Sequence, residues 1–261
     1  MKEILFFEIK ENIRSRWLFF YAALLGFAMI VLSFFGDQNG IRLIVSTMNL
    51  LLIVVPLFSI TFAGMNFLDS MPFAEVILTK SVSRTQLFFG KYFGIVLSLT
   101  FGLLIGIGIP GSFIFINSID YLFLFTQILF FGIILTSIFV ALAFLLSSFF
   151  RRGEMVLTTS LLVWFYFFIF FDSIIFILSM YLGEYPIEIP TLIIILLNPI
   201  DLIRILILLQ TSSAALFGFS GAILISQIGP IGLIVLSTIF ISFWISLPVW
   251  IAYKKFLNRN F

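Results

Sequence analysis

The chain has 261 residues, of which 62% are hydrophobic and only 10% are charged, and its mean hydropathy is +1.26. Soluble domains carry about 25% charged residues, so this composition excludes a soluble protein and indicates an integral membrane protein. The chain has no cysteine and no histidine, which excludes disulfides, thiolate and imidazole chemistry. We expect no catalytic residue, no metal site and no cofactor in this chain, and its net charge of +2 gives no reason to expect nucleic acid.

The N-terminal residues 2–17 have the pattern of an amphipathic helix. Leu5, Ile9, Ile13 and Trp17 repeat every four residues, and charged residues occupy the opposite side. We expect this helix to lie on the cytoplasmic surface of the membrane. The alternative is a simple polar tail.

Long apolar runs, uncharged except for Asp172 in the fifth, predict six transmembrane helices, because a helix needs about 20 apolar residues to cross a bilayer. Pro56 predicts a kink in the second run, and the Gly-rich sequence around Pro110 predicts a bend or an end in the third. The runs are, in chain order, 17–36, 43–68, 92–119, 121–150, 155–182 and 230–253.

The region between the fifth and sixth runs, 184–229, predicts an external element. Thr191–Asn198 is too short to cross, although residues 205–226 are long enough. We expect residues 191–226 to enter the outer leaflet and return, or to lie flat on it.

The distribution of positive charge decides the topology. With the N-terminus in the cytoplasm, 12 of the 14 Lys and Arg residues fall on the cytoplasmic side, as membrane proteins prefer. Both termini are then cytoplasmic and the number of crossings is even. The prediction is one all-α permease domain over 1–261, with six spans in the inner membrane.

Residues 66–93 form a charged segment between the second and third runs. Charge at this place, in so apolar a chain, predicts a cytoplasmic docking element for a separate motor protein. Gly90-Lys91 is followed by Tyr92 rather than by Ser or Thr, so the chain has no phosphate-binding P-loop. Any energy for active transport must therefore come from a partner.

The segment 74–94 resembles the cytoplasmic loop of type-2 ABC exporter permeases. That family has a glutamate, a Pro-Val-Ser-Arg-like turn and a Gly-Lys…Gly entry to the third span, which together form the coupling helix. The resemblance implies that Glu75 and Arg84 meet an ATPase subunit, which binds ATP and magnesium. Ser81 stands where the family usually has proline, and the matching residues are Glu75, Val82, Ser83, Arg84, Gly90, Lys91 and Gly94.

The segment 197–222 resembles the external part of NosY-like permeases, which carry an Asn-Pro-x-Asp-x-x-Arg motif before a helix. Asn198, Pro199, Asp201 and Arg204 match this motif. The resemblance implies a homodimer with a NosF-like ATPase and a periplasmic NosD-like protein, which serve maturation of the copper site of nitrous-oxide reductase. Asp201 and Arg204 then either orient the external helix toward a partner or form only a local i,i+3 pair.

Three alternatives stay open at this point. The chain could export another substrate, such as a lipid, peptide or drug, because no polar ligand set lines any predicted span. It could also be a membrane scaffold with no transport path. A secondary transporter is the third alternative, and the scarcity of ionisable residues within the spans argues against it.

Overall fold

The computed structural model describes residues 2–35, 40–78, 82–181, 193–210 and 218–258. Ser81 and the predicted external loop at 184–190 lie outside these residues. The described residues form helices and short connections, in agreement with the predicted all-α class.

Eleven α-helices are named in chain order. They are α1 (Lys2–Ile13), α2 (Arg16–Phe35), α3 (Gly40–Asp69), α4 (Met71–Leu78), α5 (Arg84–Leu103), α6 (Ile109–Phe115), α7 (Ile119–Phe149), α8 (Gly153–Phe165), α9 (Phe171–Tyr181), α10 (Pro199–Leu208) and α11 (Gly218–Leu257). Two π-helical stretches, Leu104–Gly108 and Tyr166–Phe170, join α5 to α6 and α8 to α9. Gly229 kinks α11 with a φ of 74°, a conformation that glycine adopts without strain.

Six helical stretches within the described residues are long and apolar enough to cross a membrane, which confirms the predicted six-span fold. Ten of their twelve ends lie within four residues of the predicted runs, whereas the third stretch begins eight residues before its run and the fifth ends twelve residues before its run does. They are Arg16–Phe35, Gly40–Asp69, Arg84–Phe115, Ile119–Phe149, Gly153–Phe170 and Ile231–Leu257.

Helix α7 is the centre of the bundle. In its most apolar stretch 72% of residues are buried, against 22% in α2 and in the last span. It packs on α3, α5, α10 and α11. The outer helices instead expose bulky side chains such as Phe19 and Phe34, which suits a lipid environment.

The third span does not end at its Gly-rich half but continues through the π-helical stretch Leu104–Gly108 and then through α6 to Phe115. At this point it approaches the first span closely. A Cβ built on Gly106 would lie 2.7 Å from the carbonyl oxygen of Ala22. Small residues at such crossings let two membrane helices meet backbone to backbone, so Gly106 fixes this contact.

The N-terminal segment differs from the single helix predicted over 2–17. Helix α1 ends at Ile13, and Trp17 belongs to the first span. The side chain of Ser15 accepts a hydrogen bond from Trp17 N at 3.3 Å, so Ser15 caps a new helix and interrupts the first. The buried side of α1 holds Glu8 and Asn12, whereas Ile13 is 44% exposed.

Helix α10 lies inside the bundle. Every residue of α10 except Arg204 is buried, and the helix packs on α7, α11 and α3. This burial shows that α10 packs within the protein, and whether the region before the last span enters the outer leaflet or lies flat on it stays a prediction. Residues 182–192 and 211–217, which lie before and after the described residues 193–210, are outside the described part.

Candidate coupling site

The predicted coupling segment folds as the short helix α4, a connection, and the start of α5. Met71 and Ala74 of α4 are buried, whereas Glu75 is exposed. Ser83 begins α5, and its hydroxyl accepts from Gln86 N at 3.2 Å, which satisfies one of the free N–H groups at a helix start. The predicted contact residue Glu75 therefore stands on the surface of α4.

The start of α5 is bonded to the end of α11. The guanidinium of Arg84 donates to the carbonyl oxygen of Leu257. One residue further, the hydroxyls of Thr85 and Tyr253 lie 2.8 Å apart. Arg84 is half-buried by these contacts, so it links the coupling segment to the last span as well as standing near the surface. Val82 is also half-buried, whereas Ser83 is exposed.

Four phenylalanines from four different helices form an aromatic cluster behind the start of α5. The ring centroids of Phe67 and Phe144 are 4.5 Å apart, and those of Phe88 and Phe256 are 5.6 Å apart. Phe88 also meets Phe144 edge to face at 5.5 Å. Ring pairs at these distances stabilise their contacts beyond simple burial. The cluster therefore holds α3, α5, α7 and α11 together.

Lys91 lies inside the protein and binds α1. Its Nζ donates to Oε1 and Oε2 of Glu8 at 3.0 and 3.2 Å, and each side chain is only 5% exposed. A buried charge is costly unless it is paired, so this pair fixes the register between α1 and α5. Lys91 does not reach a surface where it could touch an ATPase.

Glycines on both sides of Lys91 allow α1 to approach so closely. A Cβ on Gly90 would lie 2.9 Å from Cγ2 of Ile4, and a Cβ on Gly94 would lie 2.6 Å from Cβ of Glu8. The Gly90-Lys91…Gly94 motif therefore forms the part of α5 on which α1 packs. Gly90 and Lys91 are predicted to belong to the coupling interface, but in the structure they are buried and contact α1.

Asn198 ties α10 to the fifth span. Its Oδ1 accepts from Ile200 N at 3.0 Å, which caps α10, and its Nδ2 donates to the carbonyl oxygen of Phe167 at 2.9 Å. Phe167 lies in the π-helical stretch, where the altered bonding pattern leaves carbonyl groups available. Asn198 Nδ2 also lies 2.6 Å from Oδ2 of Asp201.

Asp201 and Arg204 form the predicted i,i+3 pair, with 2.9 Å between Oδ1 and Nη1. The Asp201 side chain is 5% exposed and that of Arg204 is 28% exposed. Asn198 and Pro199 are buried as well. The motif therefore anchors α10 within the protein, and a partner contact at this place depends on Arg204.

This architecture is that of a multi-pass membrane protein. Residues 74–261, which run from α4 to the C-terminus, match the family described as "ABC-2 family transporter protein". The chain belongs to this family, and membership implies an ABC ATPase as its partner. The chain is also 28% identical over 232 residues to the "Probable ABC transporter permease protein NosY" of Pseudomonas aeruginosa strain PAO1, an alignment that covers 81% of this chain and 82% of that relative.

Proposed function

We propose that this chain couples ATP hydrolysis in a separate ATPase subunit to movement of its membrane spans. In this account the ATPase binds the surface of α4 around Glu75 and the start of α5 at Ser83 and Arg84. Family membership supports the partner, and the exposure of Glu75 supports the place. The account puts α4 and both termini in the cytoplasm and the chain in the inner membrane.

The observation that carries the proposal is the double attachment of α5. Arg84 bonds to Leu257 at the end of α11, and Lys91 bonds to Glu8 of α1. A displacement of α4 and the start of α5 thus pulls on both the first and the last helix. Packed helices tend to move as rigid units. A displacement of α5 by the ATPase is therefore transmitted to α7, which packs on it, and from α7 to the other helices of the bundle.

Charge reversal at Glu75 tests the docking part of the proposal. We expect Glu75→Arg to abolish co-purification with the ATPase, because Glu75 is exposed and its change leaves the bundle intact. The matched control is Glu3→Arg, which reverses an exposed acidic residue of α1. If the Glu75→Arg complex survives as well as the control, the docking site is elsewhere.

Removal of the charge at Arg84 addresses transmission. We expect Arg84→Met to retain the ATPase through its contact with α4 around Glu75, but to weaken the dependence of transport on ATP hydrolysis, because the bond to Leu257 is lost. An ATPase that binds but cannot hydrolyse ATP provides the reference. If delivery of substrate is normal with that ATPase, the chain is a scaffold and coupling plays no role.

We further propose that the chain works as a homodimer in maturation of the copper site of nitrous-oxide reductase, with NosF-like and NosD-like partners. The likeness to a probable NosY permease and the Asn-Pro-x-Asp-x-x-Arg motif support this role. Deletion of the gene should leave nitrous-oxide reductase without its complete copper site, and the intact gene should restore it. A normal copper site in the deletion strain would favour export of a lipid, peptide or drug instead.

A further inference from the structure

A cavity of about 550 Å³ lies mainly between α1, α3 and α4, with single residues of α2, α5 and α8 completing its lining, and it is separate from the contacts that tie α5 to α11. Its size is within the range of about 300–1,000 Å³ that is typical of small-molecule sites. Its apolar lining is mainly aromatic, and it comes from Phe7, Trp17, Phe58, Phe62 and Phe73. Phe7 and Phe73 stack at 5.3 Å and close one side between α1 and α4.

The charged groups of the cavity lining are mostly negative. Glu11 and Asp69 both line it, and neither forms an ion pair with any residue in the described part of the chain. Lys91 also lines the cavity, but its charge is matched by Glu8. Among the described residues, the cavity therefore has two carboxylates that no ion pair neutralises.

Asn66 of α3 lines the same cavity, and its side chain is bonded to α1. Its Nδ2 donates to Asn12 Oδ1 at 2.8 Å, while Asn66 Oδ1 and Asn12 Nδ2 are both buried with no other partner within the described residues. This pair of amides therefore joins α1 to α3 beside the cavity.

We propose that this cavity binds an organic ammonium ion that carries an apolar group. Aromatic faces attract a cation, carboxylates form charge-assisted hydrogen bonds with an ammonium group, and the rings accept the apolar part. A lipid headgroup such as ethanolamine and a soluble amine offer the same chemistry. The proposal stands apart from the coupling function, because it concerns binding to this chain without the ATPase.

The test measures binding of 4-phenylbutylammonium to the full chain in phosphatidylglycerol nanodiscs by calorimetry, with empty nanodiscs subtracted. The variant Glu11→Gln/Asp69→Asn removes both carboxylates at exposed positions and keeps the shape of the cavity. We expect its Kd for the ammonium probe to rise at least about tenfold. The neutral 4-phenylbutanol should bind weakly and equally to both proteins.

The matched control is Glu3→Gln/Glu154→Gln, which makes the same change in net charge at two exposed acids outside the cavity lining. It should bind the probe as the unmodified chain does. Displacement of the probe by phosphatidylethanolamine in the nanodiscs would assign the natural ligand to lipid, and lack of displacement would assign it to soluble amines. Equal binding by the cavity variant, or an equal loss in the control, would overturn the proposal.

Discussion

Lys91 Nζ and Glu8 Oε1 meet at 3.0 Å in the interior, although 83 positions separate the two residues in the sequence. The pair joins the N-terminal helix to the start of the third span. Both side chains are 5% exposed, so water does little to screen their attraction. The charged segment after α3 is thus connected to α1 before any partner binds.

Removing one partner of this pair should be much more harmful than removing both. Lys91→Met leaves the Glu8 carboxylate buried without a cation, and we expect a loss of about 3–5 kcal/mol in the free energy of unfolding. The double variant Glu8→Leu/Lys91→Met should recover most of that loss. Unfolding experiments in mixed micelles measure the free energy of unfolding of the single and the double variant. A double variant as unstable as the single one would contradict the interpretation of the pair.

Gly94 should not tolerate even one additional methyl group. Gly94→Ala places a Cβ 2.6 Å from Cβ of Glu8, which forces α1 away from α5, and we expect a cost of about 1–3 kcal/mol in the free energy of unfolding. The control is Gly108→Ala in the same span, where the nearest atom is 3.7 Å away. Similar stability losses for the two variants would show that α1 does not constrain Gly94.

Asn198 should act through stability rather than through the ATPase. Asn198→Ala removes the cap of α10 and its bond to Phe167, and we expect a loss of about 1–2 kcal/mol. Asn258→Ala, at an exposed position, is the control. Thermal unfolding should separate the two variants, while both retain the ATPase on purification. Loss of the ATPase from a stably folded Asn198→Ala variant would contradict this anchoring role.

The hydroxyl pair of Thr85 and Tyr253 should contribute a small, measurable coupling between α5 and α11. A double-mutant cycle with Thr85→Val and Tyr253→Phe isolates the bond. Since Thr85 is exposed, we expect a coupling energy of about 0.5 kcal/mol, at the low end for a hydrogen bond. Strict additivity of the two substitutions in unfolding experiments would show that the hydroxyls do not interact.

Much of the fold is predictable from the sequence because a bilayer imposes simple rules. A span needs about 20 apolar residues, and its charged ends remain in water. The six apolar runs therefore mark the six spans, although the third span begins eight residues before its run, at Arg84, and the fifth ends twelve residues before its run does, at Phe170. The π-helical stretches have no such signature, since they depend on how neighbouring helices pack.

The side of α1 that packs on the protein could not be predicted in the same way. In a soluble protein the apolar side of an amphipathic helix faces the core. Beside a membrane the lipid is apolar too, so Ile13 can remain exposed while Glu8 turns inward to Lys91. Only part of the candidate site could be predicted from the sequence. Glu75 stands out there as a charged residue in an apolar chain, whereas the bond between Arg84 and Leu257 joins distant parts of the chain and has no local sequence pattern.

The most direct test of the central claim is site-specific cross-linking at α4. The chain contains no cysteine, so Glu75→Cys introduces one reactive thiol for a photoactivated cross-linker in the complex with the ATPase. Ile119→Cys is the control, at an exposed residue that begins α7, one span further along the chain and so at the other end of the bundle. The account predicts a cross-link to the ATPase from position 75 and none from position 119. No cross-link from position 75 in an intact complex would contradict it.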